Sequence, residues 1–119
     1  MLRLLHTPGH TPGHLSTLIS SGDERALICG DVAVHPAQVC HPKWNVMFDM
    51  DGETARTTRA TILDSVEAEG MTVAERHFRS LGSDTWSGWR AGTTGDRSRF
   101  RTAEPRTGAA RAPCLLLRH

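Results

Sequence analysis

HTPGHTPGH at residues 6–14, followed by LSTLIS at 15–20 and RALICGD at 25–31, decides the fold. Two Pro-Gly pairs in the first stretch exclude regular helix or strand, because proline removes a donor and glycine favours turn geometry. Periodic segments on both sides predict an ordered loop. Before it, Leu2–Leu5 is a short apolar run that reads as a strand. After it, Leu15, Thr17 and Ile19 alternate with Ser16, Leu18 and Ser20, a strand with both faces partly buried. A turn at Ser21–Glu24 leads to a second strand at Arg25–Cys29, completing a hairpin. That strand ends at Gly30-Asp31, placing a carboxylate directly after buried backbone.

Further along, residues 32–50 read as a long irregular connection with His35-Pro36 and His41-Pro42; loops of this length inside a domain usually serve function or are disordered. Asp51 can cap a helix over residues 53–68, with Ala55, Thr58, Ile62, Leu63 and Val66 on one face and Gly70 as its stop. Met71–Ala74 then predicts a short strand leading to His77. The order of elements is that of a mixed α/β (α+β) domain. From Arg79 onward periodicity is lost, so residues 1–78 are expected to form the domain and residues 79–119 a disordered, Arg-rich tail.

The 119 residues carry a formal charge of +1. That figure conceals six Lys and Arg against ten acids in residues 1–78, and eight Arg against three acids in residues 79–119. Arginine-rich segments can neutralise nucleic-acid phosphates, but no lysine supports these arginines and no binding motif accompanies them, so disorder is the preferred expectation. No apolar run approaches the roughly 20 residues of a membrane span, and the N-terminal residues lack a signal-peptide pattern. Three cysteines without CxxC spacing fit a reducing, cytoplasmic setting better than a disulfide framework.

Seven histidines are many for this length, and four of them precede residue 36. His10, Asp31 and His77 are the constellation that could carry chemistry. Each lies at a strand end or in a strand-end loop, and each donates nitrogen or oxygen to hard or borderline metals. Strand ends converge in space where the sequence does not. Cys29, Cys40 and His41 lack thiolate zinc spacing, and Cys40 beside His35 or His41 lacks a third, orienting residue. Cys29 reads as a small buried residue. His35 and His41 read as loop packing or pocket lining, and Asp49 and Asp51 as helix-start residues.

The TPGHTPGH loop, the ALICGD run ending at Asp31, and His77 after a later strand together resemble the metallo-β-lactamase-fold hydrolases. HPAQVCHPKWNVMFDMDGETARTTRATILD, residues 35–64, looks like the lactonase-like branch of that superfamily. The resemblance covers residues 2–78. It implies that His10 and His77 are metal ligands serving different ions, and that Asp31 bridges the two as both ligand and catalytic carboxylate. His14 would orient the loop by hydrogen bonding. Two zinc ions, or iron or manganese, would lie about 3.5–4 Å apart and generate a hydroxide that attacks an ester, lactone, thioester or related bond of a small-molecule substrate.

The HxHxDH motif that contributes the family's other ligands is absent, and Val34 stands near the place of a lactonase-type tyrosine. The expectation is therefore a fragment: half of an αββα sandwich, inactive alone, with one sheet face and one strand edge left open. The alternatives are a non-catalytic module that complements a separate chain supplying the N-terminal half, and a basic-tailed nucleic-acid binder.

Overall fold

Alternating side chains, the loop at residues 7–14 and a tight turn at Gly22-Asp23 produce a meander. In the computed structural model, which describes residues 1–75, 77, 87–90 and 101–102, Leu2–His6 forms β1, Leu15–Ser21 forms β2 and Glu24–Ile28 forms β3. Thr72–Glu75 forms β4, Ser87–Arg90 β5 and Arg101–Thr102 β6. The strands lie in the order β1-β2-β3-β4-β5-β6, all neighbours antiparallel except the parallel pair β3–β4. Parallel strands need a crossover. Here it carries a short helix α1 at Pro36–Cys40 and the long helix α2 at Gly52–Glu69. The fold is mixed α+β, with one sheet and its helices.

Two local expectations change. The connection at residues 32–50 is not wholly irregular: His35 Nδ1 accepts the Ala37 N–H at 3.1 Å and Pro36 opens α1. Proline's fixed φ suits a first helical turn, and five residues are too few to display helical periodicity. Within the stretch expected to be a disordered tail, β5 and β6 pair into the sheet. Strand pairing uses main-chain N–H and C=O groups that an Arg- and Gly-rich segment carries as well as any other. The rest of residues 79–119 lies outside the described residues.

Helix α2 starts where its cap predicts. The Asp51 carboxylate accepts from the Thr54 N–H at 3.0 Å and from the Thr54 hydroxyl at 2.7 Å, satisfying one of the first-turn donors left without intrahelical partners. These bonds hold the Asp51 carboxyl below the usual carboxylate range. The helix ends at Gly70.

The strand register assigns the faces. Leu18 lies opposite Leu27, and Leu27 opposite Val73. These three form one buried cluster with Leu63 and Val66 of α2. Because side chains alternate across a strand, Leu2, Leu4 and Ile19 share the other face with Ile28, each lying in register with the next strand. That face is open: Leu2 is 72%, Leu4 64% and Ile28 39% exposed. A contiguous exposed apolar strip of this kind marks an interaction surface or an aggregation liability.

Two outcomes follow from these features. Light scattering on the isolated chain is expected to show mass rising with concentration. Leu4→Lys should suppress that rise while changing stability by no more than about 0.5 kcal/mol; unchanged association in this variant would place the sticky surface elsewhere. For the cap, a carboxylate with a depressed folded pKa contributes stability above its unfolded pKa and loses it as pH falls through the folded value. Asp51→Ala should therefore lower the melting temperature at neutral pH, and the gap to the parent chain should close in acid.

Candidate metal centre

Hydrogen bonds to α2 and to the segment just before it hold the loop at residues 6–14. The Thr58 hydroxyl donates to Pro8 O at 2.7 Å, the Asp51 N–H to Gly9 O at 2.9 Å, and the Met50 N–H to His10 O at 3.2 Å. Gly9 has φ +130°, and a Cβ there would fall 2.3 Å from Ala55 Cα. The loop can press this closely on α2 only with glycine at that position.

At the end of β3, Asp31 is brought between two imidazoles. His77 Nε2 lies 2.7 Å from Asp31 Oδ1, and His10 Nε2 lies 3.6 Å from Asp31 Oδ2. Each ring thus addresses a different oxygen of one half-buried carboxylate. The His77 contact is a hydrogen bond; the His10 contact is too long to be one. His77 is further held by its own N–H, which donates to the Glu75 carboxylate at 2.6 Å.

His14 links the loop to the strand end. The Asp31 N–H donates to His14 Nε2 at 2.9 Å, so Nε2 is an acceptor and the neutral ring carries its proton on Nδ1. Nδ1 sits 2.8 Å from the Thr7 hydroxyl and 3.1 Å from Thr7 O. Ser16 donates its hydroxyl proton to Cys29 O at 3.1 Å, which leaves the Thr7 hydroxyl to donate to Ser16 at 3.0 Å. The chain of donors runs in one direction, from His14 through Thr7 and Ser16 to the β3 backbone, and it fixes where Asp31 begins. Gly30, at φ +59°, sits where a Cβ would lie 2.8 Å from His14 Nε2.

Asp49 departs from its sequence-based expectation. It is not a helix-start residue; Asp51 alone fills that role. The Asp49 side chain is 2% exposed, with Oδ1 3.1 Å from His10 Nδ1 and Oδ2 3.3 Å from Arg59 Nη2. Arg59 lies within the buried stripe of α2, between Ala55 and Leu63. Its Nε donates to Val32 O at 2.7 Å, and its Nη1 donates to Pro42 O at 2.8 Å and Trp44 O at 2.7 Å. Burial draws the guanidinium down from its ordinary value, while Asp49 acts to hold it up. One signal could have revealed Arg59: it falls four residues after Ala55 and four before Leu63, in the middle of an apolar face. No local pattern marks Asp49.

The remaining candidates are structural. His35 caps α1, and His41 stacks on Trp44 with ring centroids 4.4 Å apart. Cys29 is buried and free, and desolvation, with the nearby Glu75 adding to it, pushes its thiol up to about 12. It is a packing residue and no nucleophile at neutral pH.

The model of the metallo-beta-lactamase superfamily matches residues 1–74. The chain belongs to that superfamily. Solved structures agree in fold. The hydrolase AbOPH of the beta-lactamase superfamily superposes with a TM-score of 0.69 at 22% identity, over 90% of this chain and 35% of its own. AidC, a dizinc quorum-quenching lactonase solved with a product, gives 0.66 at 23% identity, over 92% of this chain and 35% of its own. A probable metal-dependent hydrolase from Staphylococcus aureus gives 0.71 at 16% identity, over 89% and 36%. No curated protein matches. This superfamily member thus spans about a third of the length of the solved structures it resembles.

In kind, the donors suit a superfamily metal centre: two imidazole nitrogens flank a carboxylate able to bridge. In number they fall short, since two ions sharing Asp31 would receive two donors each, whereas a catalytic zinc takes three protein ligands and an open position. Among the described residues no group of three or more His, Cys, Asp or Glu has the arrangement to hold a metal ion. The close His77–Asp31 contact is part of the reason. Ligands of one zinc, each about 2.0–2.2 Å from it, stand farther apart than two atoms joined by a hydrogen bond.

Removing the Arg59 charge should be costly, because it strands the Asp49 carboxylate and three carbonyls. Arg59→Leu is expected to lose roughly 3–5 kcal/mol in urea unfolding, the range for a broken buried ion pair. A loss within 1 kcal/mol would show that the loop satisfies these groups without it.

Proposed function

We propose that this chain contributes to the metal centre of a hydrolase acting on an ester, lactone, thioester or related bond. His10 and His77 would each serve one ion, and Asp31 would bridge them. The observation that carries this reading is the placement of two imidazoles on separate oxygens of one carboxylate. Superfamily membership and the fold shared with a dizinc lactonase support it. When bound, the ions supply Lewis acidity and lower the pKa of water, with zinc the first choice and iron or manganese suited to the same donors. The chain's own residues supply the platform. His14 sets the Asp31 backbone, Asp49 faces the far side of the His10 ring, and Glu75 fixes the His77 backbone.

On this reading the donor set is incomplete and the chain has little activity alone. The second reading is a non-catalytic module that completes another chain carrying the missing ligands. The open apolar face of β1–β3 favours it, since a second layer would cover that face. No helix among the described residues is long and apolar enough to cross a membrane, and the disulfide-bonded Cys40 runs against the reducing, cytoplasmic setting expected from the cysteine spacing. A nucleic-acid role for the arginines of residues 79–119 has no support beyond composition.

Metal analysis after equilibration with zinc, iron or manganese tests the proposal. The parent chain should take up zinc weakly. Uptake should fall by at least tenfold in His10→Ala, Asp31→Ala and His77→Ala, and persist in His35→Ala. Undiminished uptake in all three site variants would remove the metal-centre reading. Two tightly held ions with vigorous ester or lactone hydrolysis would instead show that the chain is complete without further ligands.

A further inference from the structure

The buried ion pair beneath His10 has an arrangement that packing alone does not require. Asp49 presents one oxygen to two donors, with Arg59 Nη2 at 3.3 Å and the Val46 N–H at 3.4 Å, and turns the other oxygen to His10 Nδ1 at 3.1 Å. A carboxylate only accepts, so Nδ1 must carry a proton. On the opposite side of the ring, Nε2 stands 3.6 Å from Asp31 Oδ2, outside hydrogen-bond range. The proton of a neutral His10 therefore has an acceptor at Nδ1 and none at Nε2.

We propose that Asp49, oriented by Arg59, is a positioning residue that holds His10 in its Nδ1–H tautomer and leaves the Nε2 lone pair directed at Asp31. The two side chains come from different segments, and each needs the other. Arg59 is 1% exposed and anchored on three carbonyls, so it has one orientation to offer Asp49. Asp49 in turn transmits that orientation to a histidine on the loop at residues 6–14. A ligating histidine commonly donates its second N–H to a carboxylate, which fixes the ring and raises its basicity. The proposal rests on the metal-centre reading only in what Nε2 would meet; the tautomer itself does not depend on it.

The substitution Asp49→Asn distinguishes positioning from mere packing. It keeps the shape and removes the charge. With two donors crowding one side, the carboxamide oxygen must face Arg59 and Val46, which turns its NH2 towards Nδ1. Nδ1 would then have to accept, and the ring proton would move to Nε2. Long-range 1H–15N spectra of the metal-free chain, recorded in a pH range where the spectra themselves show the His10 ring neutral, read the tautomer directly, with His10→Gln assigning the signals. The parent chain should show Nδ1 protonated and Nε2 bare, and Asp49→Asn should show the reverse. Zinc binding by the same variant should weaken about 10–100-fold.

A parent chain with its proton on Nε2 overturns the proposal, as does an unchanged tautomer in folded Asp49→Asn. The parent measurement decides the matter even if the variant fails to fold. A parent chain that shows the Nδ1–H tautomer yet takes up no zinc supports the positioning role and removes the metal-centre reading instead.

Discussion

A single buried guanidinium, that of Arg59, organises the part of this molecule around Asp49 and His10. The segment between β3 and α2 has a 3-10 turn at Gly30–Val32, one short α-helix and otherwise little regular structure, so many of its carbonyls lack ladder partners. Buried backbone acceptors without partners are costly. Arg59 rises from the middle of α2 and collects three of them, Val32 O, Pro42 O and Trp44 O, with Asp49 neutralising the charge. Removing one member of such a cluster leaves the others stranded. Helix, connection and Asp49 are thereby locked into one arrangement.

The site is assembled by two routes, the first of which starts from that lock. One runs through Asp49 to the His10 ring. The other runs along the hydroxyls of Thr7 and Ser16 to His14, and through the Asp31 N–H to the end of β3. The loop at residues 6–14 belongs to both, and its glycine at position 9 lets it sit directly on α2. His77 arrives independently, after β4, which the parallel pairing with β3 places beside Asp31. The crossover topology thus brings side chains from separate strand ends to one place.

The same topology leaves something open. One face of β1–β3 is packed on α2; the other presents Leu2, Leu4 and Ile28 to solvent. The donors at the sheet end are likewise fewer than two metal ions require. The chain is about a third as long as the solved structures it resembles.

Much of this was legible in the residues alone. A short apolar run marked β1, alternation marked β2, and a turn before a second apolar run marked β3, because these signals are local. Asp51 and Gly70 marked the ends of α2, because caps act within one turn. The Pro-Gly pairs marked an ordered loop, and the spacing of His10, Asp31 and His77 marked the residues the fold gathers. What only the tertiary structure decided was the role of the groups whose partners are remote in sequence. Arg59 is not singled out among the sequence-based candidates, and Asp49 reads there as part of a helix start. Their meaning lies in an ion pair spanning ten residues and in a histidine contact spanning thirty-nine. Periodicity and capping report interactions within a turn or a strand. A buried charge is placed by whichever distant carbonyls and carboxylates the packed chain brings to it, and that is determined only once the chain has folded.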